Sequence, residues 1–270
     1  MRQMQSAAHK LLFILGLCYA LLFLCARFFA GSMIFFPHPS SYRDTKDIIK
    51  LRAADGVTIS AIYIPNDSAR FVLLYSHGNG EDIGDDLDLL KDLQRSGFSV
   101  FAYDYHGYGT SQGKPSEHAV YMDIDAAYAS LVDSLQVPPD RIIAFGHSLG
   151  GAAAVDMAAR KPLAGLIMES SFVTAFRVMT RIPVLPFDKF RNIDKIKHVK
   201  CPVLFIHGAN DQTIPLWHSQ ALLKAANQPK RLVTIQNGDH NDLLQIAGSG
   251  YFQILNDFAA SLSASDPTKQ

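Results

Sequence analysis

The stretch IIAFGHSLGGAAAVDMAAR, residues 142–160, decides the fold of this chain. Its first four residues are apolar and predict a short buried strand, whereas the alanine-rich part predicts a helix that begins at Gly151. Between them stands Ser148 in a Gly-x-Ser-x-Gly pattern. A serine on a sharp turn from a strand into a helix has a strained backbone, and Gly146 and Gly150 lack the β-carbons that would collide with neighbouring elements. The pattern indicates a nucleophilic serine at a strand end.

Alternating strand and helix patterns continue on both sides of that stretch. An Asp-Gly turn at residues 55–56 lies between two β-rich runs and predicts an antiparallel hairpin. Short apolar runs predict strands at residues 71–75, 99–103, 142–145, 166–168, 203–206 and 231–235. Longer segments predict helices at residues 85–93, 117–137, 151–160, 216–227 and 242–262. This alternation predicts an α/β fold, with a mostly parallel central sheet and helices on both faces.

Composition and residue spacing exclude several classes of function. Lysine plus arginine and aspartate plus glutamate both number 25, so the chain has no net field to attract nucleic acid. Cys18 and Cys25 fall in an apolar N-terminal run, which leaves Cys201 without a disulfide partner in the rest of the chain. The ten histidines show no metal-binding spacing such as His-Glu-x-x-His. We therefore expect neither a nucleic-acid partner nor a metal or other cofactor.

The apolar run from Leu11 to Ala26 predicts a helix that spans a bilayer. Arg2 and Lys10 before it would also suit a cleaved secretory signal. A clean small-x-small cleavage site does not follow, because Phe28 occupies the first small position of the candidate site. We therefore expect an uncleaved single-pass anchor at residues 1–32 and a membrane location. Basic residues on both sides of the run leave the face of the membrane open.

In a parallel sheet, reactive side chains collect at the carboxyl ends of the strands. His240, in GDHND, follows the last predicted strand, and Asp211, in HGANDQTIP, follows the strand before it. A serine hydroxyl needs a base to take its proton and an acid to orient that base. The chain order Ser148, Asp211, His240 supplies nucleophile, acid and base in turn. Asp239 and Asp242 are too near His240 in the chain to be the orienting acid.

Four other histidines follow predicted strands and are weaker candidates for the base: His77, His106, His147 and His207. Of these, His77 and His147 flank the proposed reacting positions, and we expect them to be structural.

The segment SHGNGED, residues 76–82, predicts half of an oxyanion hole. The tetrahedral oxygen of acyl transfer needs two donors, one from the residue after the nucleophile and one from the loop after the third strand. Leu149, through its backbone amide, and Asn79 occupy those positions. We expect these two residues to be the oxyanion donors.

The chain from about Met33 to Ala260 resembles an α/β-hydrolase. Within that family it resembles the membrane-anchored branch related to alpha/beta-hydrolase-domain depalmitoylases and serine-aminopeptidase-like hydrolases. The matching stretches are IFFPHPSSYRD, YSHGNGEDIGD, FAYDYHGYGTSQGKPSE, FGHSLGGAAAVDMAA, CPVLFIHGANDQTIP and GDHND. The resemblance implies the same triad and the same oxyanion donors as the chain order. His106 departs from it, because relatives commonly carry arginine there, which affects local ion pairing and leaves the triad intact.

The predicted organisation has an anchor, a catalytic domain and a disordered tail, at residues 1–32, 33–265 and 266–270. Residues 170–200 are too many for an ordinary connection and lie where α/β-hydrolases carry a cap. Apolar side chains alternate there with basic ones, and they predict a groove for an acyl chain beside a membrane. The predicted substrate-binding residues in this cap are Phe172, Phe176 and Leu185.

These features predict a serine hydrolase that cleaves esters or thioesters of acyl or lipid-like substrates through an acyl-enzyme. A serine peptidase or amidase would share the triad but would need a pocket for a peptide amine, and it stays an alternative. A non-catalytic binding protein on a hydrolase fold usually lacks a triad member, whereas all three candidates are present here.

Overall fold

The computed structural model of the chain describes residues 2–264, in two units that meet between Phe36 and Pro37 in the chain. The first unit contains one helix, α1, at Arg2–Ile34. Its part from His9 to Ile34 has a mean hydropathy of 2.3 and is long and apolar enough to cross a membrane. A signal sequence passes the same test. The predicted disordered tail, residues 266–270, lies outside the described residues.

The second unit is built on one sheet of eight strands. They are β1 (Ile48–Arg52), β2 (Thr58–Ile64), β3 (Val72–Ser76), β4 (Ser99–Tyr103), β5 (Ile142–His147), β6 (Gly165–Glu169), β7 (Val203–Gly208) and β8 (Lys230–Ile235). Their order across the sheet is β1-β2-β4-β3-β5-β6-β7-β8. The β1–β2 and β2–β4 pairs are antiparallel, and all pairs from β4 to β8 are parallel. The predicted hairpin, with Gly56 in its turn at a φ of 86°, is therefore confirmed.

Helices cover the sheet between the parallel strands. They are α2 (Leu87–Arg95), α3 (Glu117–Ala129), α4 (Gly150–Arg160), α5 (Ala175–Thr180), α6 (Asn192–Lys195), α7 (Trp217–Ala225), α8 (Leu243–Ala247) and α9 (Ser249–Ala264). The prediction of one helix over residues 242–262 is wrong, because Gly248 adopts a φ of 54° and ends α8 before α9 begins. The helix predicted to reach residue 137 ends as a π-helical turn at Ser130–Ser134.

Among the described residues, two apolar clusters of the core lie on opposite faces of the sheet. Successive side chains of a strand point to opposite faces, so Ile143 and Phe145 of β5 join one cluster while Ala144 joins the other. The first cluster includes side chains of α2 and α9, and the second includes side chains of α4 and α7. Because both faces are covered by apolar side chains, the ends of the strands are left for polar chemistry.

Candidate active site

Ser148 occupies the turn between β5 and α4 with a φ of 50°, a conformation that L-residues other than glycine rarely adopt. The two flanking glycines make this turn possible. A β-carbon on Gly146 would overlap the backbone of Gly150 and Gly151, and one on Gly150 would overlap the carbonyl of Ser76. The backbone N–H of Ser148 donates to the carbonyl of Glu169 at 2.8 Å, which ties the turn to β6.

His240 connects the serine to the acid. Its Nε2 lies 3.0 Å from Ser148 Oγ, and its Nδ1 lies 2.8 Å from Asp211 Oδ2. With the ring proton on Nδ1 donated to the carboxylate, Nε2 is left to accept the serine proton. All three residues are buried. The structure thus brings together the three residues that the sequence order singled out, within hydrogen-bond reach of one another.

Asp211 is held by more partners than His240 alone. Its Oδ1 accepts the backbone N–H groups of Thr213 at 2.9 Å and Ile214 at 2.7 Å, and its Oδ2 lies 3.3 Å from Nε2 of His207. Burial alone would raise the pKa of Asp211. The hydrogen bonds from His207 and His240 lower this pKa by more than burial raises it, so the net pKa lies well below the ordinary value. The carboxylate therefore stays ionised and fixed in direction at neutral pH.

The loop after β3 lies against the nucleophile turn. Leu149 is the first residue of the turn that opens α4, where N–H groups have no acceptor within the helix. Gly150 contacts the carbonyl of Ser76, where the loop begins. The side chain of Asn79 accepts a hydrogen bond from Tyr108 Oη at 2.6 Å. The oxyanion roles of Leu149 and Asn79 stay predictions, but the two loops that carry them are neighbours.

The predicted substrate-binding residues lie on the segment between β6 and β7. Phe172 is buried with its ring 6.4 Å from that of Phe190, and Phe176 is half-buried with its ring 5.8 Å from that of Phe187. Leu185 is also half-buried. Both aromatic residues thus contact other aromatic rings of the same segment. Their contact with a substrate, like that of Leu185, stays a prediction.

Sequence reasoning missed two side chains that hold the loop after β3, Tyr108 and Glu81. Tyr108 follows β4, which neighbours β3, so its loop reaches the same end of the sheet as Asn79. Glu81 accepts the backbone N–H of Gly78 at 2.7 Å and lies 3.4 Å from His147 Nδ1. Both residues follow strands, β3 and β4, that are neighbours in the sheet. The sequence does not reveal which strands are neighbours, so it could not indicate that these side chains meet.

His106, which stands where arginine was expected, lies between two carboxylates. Its Nδ1 is 2.5 Å from Asp123 and its Nε2 is 3.2 Å from Asp55. Burial lowers the pKa of His106, but hydrogen bonds and charge from Asp123 and Asp55 raise it more, so the net pKa is above the ordinary value. The imidazole is thus held between two carboxylates as the cationic member of an ion-pair cluster.

Within residues 2–264, one group of side chains has the composition of a metal site. His38, Asp82 and Asp85 place ligand atoms within 4.8 Å of one another. Asp82, however, already accepts the backbone N–H groups of Ser41 at 2.8 Å and Gly84 at 2.9 Å. These bonds account for the cluster as a polar contact between the segment after Phe36 and the loop after β3.

The comparisons with known proteins agree with this geometry. The family described as serine aminopeptidase, S33, matches residues 67–191. Alpha/beta hydrolase domain-containing protein 17B of Xenopus laevis is 35% identical over 227 residues, which cover 83% of this chain and 78% of that protein. The chain belongs to the α/β-hydrolase family. The human 17B protein is 34% identical over 210 residues, which cover 76% of this chain and 73% of the relative.

Solved structures share the fold of this chain. The Pyrococcus furiosus esterase Pf2001 superposes with a TM-score of 0.71 at 18% identity, covering 83% of this chain and 98% of the esterase. Est1E of Butyrivibrio proteoclasticus, with ferulic acid bound, gives a TM-score of 0.62 at 22% identity, covering 80% and 99%. At such identities the likeness shows the fold alone. The predicted resemblance and the predicted fold class are both confirmed.

Proposed function

We propose that the protein is a serine hydrolase that cleaves ester or thioester bonds of acyl or lipid-like substrates through an acyl-enzyme on Ser148. The observation that carries the proposal is the chain of contacts from Ser148 Oγ to His240 at 3.0 Å and from His240 to Asp211 at 2.8 Å. This arrangement supplies a nucleophile, its base and the group that orients the base.

In the first step, Ser148 Oγ attacks the carbonyl carbon while its proton moves to His240 Nε2. The carbonyl oxygen becomes an oxyanion that the backbone N–H groups of Leu149 and Asn79 stabilise. When the tetrahedral intermediate collapses, His240 returns the proton to the departing alcohol or thiol. The product of this step is an acyl-serine.

In the second step, a water molecule replaces the alcohol or thiol. His240 accepts one proton of the water as its oxygen attacks the acyl carbon, and then gives that proton back to Ser148 Oγ. Asp211 stabilises the imidazolium in both steps, because its ionised carboxylate stays bonded to Nδ1. The carboxylic acid leaves and the enzyme is restored.

Two apolar features of the chain support a preference for lipid-like substrates: the N-terminal helix and the exposed apolar side chains of the cap. The helix from His9 to Ile34 would serve as an uncleaved single-pass anchor, with the catalytic domain at residues 33–265. In the cap, residues 170–200, Met179 and Ile182 are 86% and 66% exposed. Arginines 177 and 181 stand beside them in the sequence. Such a surface suits an acyl chain near anionic headgroups, with Phe172, Phe176 and Leu185 lining the groove.

A peptidase is the second candidate, because the chain matches the family described as serine aminopeptidase over residues 67–191. A peptidase would use the same triad and differ in the pocket for the amine. Hydrolysis of aminoacyl anilides, compared with that of acyl esters, distinguishes the two activities.

The full-length chain in detergent micelles is first exposed to a fluorophosphonate probe, which labels activated serines. It is then given a series of esters and thioesters of increasing acyl length, together with aminoacyl anilides. We expect labelling, and a kcat/KM that rises from acetyl to longer acyl donors. A protein that the probe does not label would contradict a serine hydrolase, and a preference for anilides would favour the peptidase.

A further inference from the structure

We propose that Glu81 and His147 form a part-buried ion pair that holds the loop after β3 against the nucleophile turn. We call residues 77–81 the oxyanion loop. The inference rests on the hydrolase function proposed above and assigns two further residues to that site. Both are positioning residues, because they act through the backbone N–H groups of Asn79 and Leu149 rather than by touching the substrate.

Glu81 closes the oxyanion loop on itself. Its Oε2 accepts the backbone N–H of Gly78 at 2.7 Å, so the carboxylate spans the residue that carries the proposed donor, Asn79. The side chain of Glu81 is 27% exposed and therefore mostly shielded from water. A carboxylate that accepts a backbone N–H forms a charge-assisted bond, which is stronger than a neutral one. Glu81 thus restrains the loop at the point where an oxyanion donor must be placed.

His147 connects the same carboxylate to the nucleophile. It ends β5 and precedes Ser148, and its Nδ1 lies 3.4 Å from Glu81 Oε2. Its Nε2 lies 3.5 Å from the backbone carbonyl oxygen of His240. Because both ring nitrogens face oxygen acceptors, the ring satisfies both only as an imidazolium with two N–H donors. The buried imidazolium of His147 therefore contacts both the oxyanion loop and the loop after β8 that carries His240, and it precedes Ser148 in the chain.

Gly78 leaves the space that the ion pair occupies. A β-carbon at this position would lie 2.6 Å from Glu81 Oε2 and 3.0 Å from His147 Nδ1. Any larger residue would push both side chains away from the loop backbone. The absence of a side chain at Gly78 therefore allows the pair to pack directly on the loop.

The surrounding charges keep His147 protonated and Glu81 ionised. Burial lowers the pKa of His147, but Glu81 and the further carboxylates Glu169 and Asp86 raise it to about 10. Burial raises the pKa of Glu81, but the hydrogen bond and charge of His147 lower it to about 2. Asp86 has a pKa of about 8, raised by burial and by Glu81, so it is mostly neutral at pH 7. Glu169, whose pKa burial also raises, accepts a hydrogen bond from Tyr251 at 2.7 Å.

Two further imidazoles face this cluster. The ring of His147 lies 5.6 Å from that of His240, and His77 belongs to the oxyanion loop itself. The pair is thus part of the electrostatic environment of the base as well as of the oxyanion loop. Misplacement of an oxyanion donor weakens binding of the transition state and leaves binding of the ground state nearly unchanged. The pair should therefore contribute to kcat and hardly to KM.

The test uses the full-length chain in detergent micelles, with p-nitrophenyl butyrate as substrate and the fluorophosphonate as probe. The variants are Glu81→Gln, His147→Gln and the double variant. Asp125→Asn is the matched control, because it removes a carboxylate that pairs with Arg160 at 3.0 Å on the surface between α3 and α4. Thermal unfolding of each variant is measured alongside kcat and KM.

We expect each single substitution to lower kcat by about 10- to 100-fold, the effect of losing an oxyanion donor in part, with KM within about threefold. The kcat of the double variant should be no more than about threefold below that of the less active single variant, because both substitutions break the same ion pair. The control should keep its kcat within about twofold of the unchanged protein.

A kcat within about twofold of the unchanged protein in Glu81→Gln would overturn the inference, as would a raised KM at unchanged kcat or effects that multiply in the double variant. If His147→Gln does not fold, Glu81→Gln and Glu81→Ala decide the matter through the same kcat and KM criteria. If the fluorophosphonate fails to label the wild-type protein, the proposed function is refuted. If the probe labels the wild-type protein but Glu81→Gln keeps the wild-type kcat, only the role of the ion pair is refuted.

Discussion

The loops at the carboxyl ends of the strands and the cap segment between β6 and β7 hold their side chains in different ways. Asp211 accepts two backbone N–H groups and faces two imidazoles, and the carboxylate and both imidazoles are buried. The cap segment carries Met179 and Ile182 with most of their surface exposed. Buried polar groups must be fully paired, so their geometry is strongly specified, whereas exposed apolar groups are free to adapt. The side chains around Asp211 are therefore fixed more tightly in geometry than the exposed apolar side chains of the cap segment.

The substitution Ser148→Ala tests the strand-end loops most directly. Removing the nucleophile should lower kcat by roughly 10⁴- to 10⁶-fold and abolish fluorophosphonate labelling, because the remaining groups cannot form the acyl-enzyme. Steady-state hydrolysis of p-nitrophenyl butyrate measures the loss. Thermal unfolding near that of the unchanged protein is the control for folding. Undiminished turnover would move the reacting serine elsewhere.

The second prediction separates two aspartates on neighbouring loops. Asp211→Asn should lower kcat by about 10²- to 10⁴-fold, because an amide cannot supply the charge that orients His240 Nδ1–H. Asp239→Asn should cost less than about tenfold, because Asp239 Oδ1 only accepts backbone N–H groups from Gln212 at 2.9 Å and His240 at 2.8 Å, and asparagine keeps that oxygen. The kcat values of the two variants make the comparison, and a reversed order would assign the acid to Asp239.

The third prediction addresses the cap. Phe176→Asp or Leu185→Asp should lower kcat/KM for long acyl donors by about tenfold or more and leave acetyl esters within about threefold, because each buried methylene contributes up to about 0.8 kcal/mol. The chain-length series, measured below micelle-forming substrate concentrations, checks this selectivity. Lys161→Gln on the surface after α4 serves as the control. Equal losses on short and long donors would place the cap outside the acyl groove.

The smallest predicted effect concerns stability against pH. The folded-state pKa of His147 is raised from 6.5 to about 10, so its proton stabilises the fold fully below about pH 6.5 and this contribution is lost as pH rises through about 10. Glu81, Glu169 and Asp86 face the ring. The hydrogen bond and charge of Glu81 contribute most to the raised pKa, and Asp86, which is mostly neutral at pH 7, adds its charge only as it ionises near pH 8. Between about pH 7 and about pH 9.5, Tm of the unchanged protein should fall by a few degrees more than Tm of His147→Gln. Parallel Tm curves for the two proteins would contradict a protonated His147.

Much of the fold could be predicted because its patterns are local. The predicted strand at residues 99–103 matches β4, and the predicted helix from Gly151 begins within one residue of α4. The break at Gly248 escaped prediction, because an apolar helical pattern continues on both sides of it and a single glycine is tolerated in many helices. The order of the strands in the sheet could not be predicted either, because it depends on which strands, distant in sequence, form hydrogen bonds with each other.

The alternation of strands and helices, the turn around Ser148 and the chain order of Ser148, Asp211 and His240 follow from the sequence alone. Periodicity, glycine spacing and chain order are properties of neighbouring residues, so they can be read without the fold. The tertiary structure alone decided that Tyr108 bonds Asn79 and that Glu81 meets His147 across 66 positions of the chain. Such pairs form only when strands far apart in sequence lie side by side, and burial then makes each polar group depend on the partner it finds there.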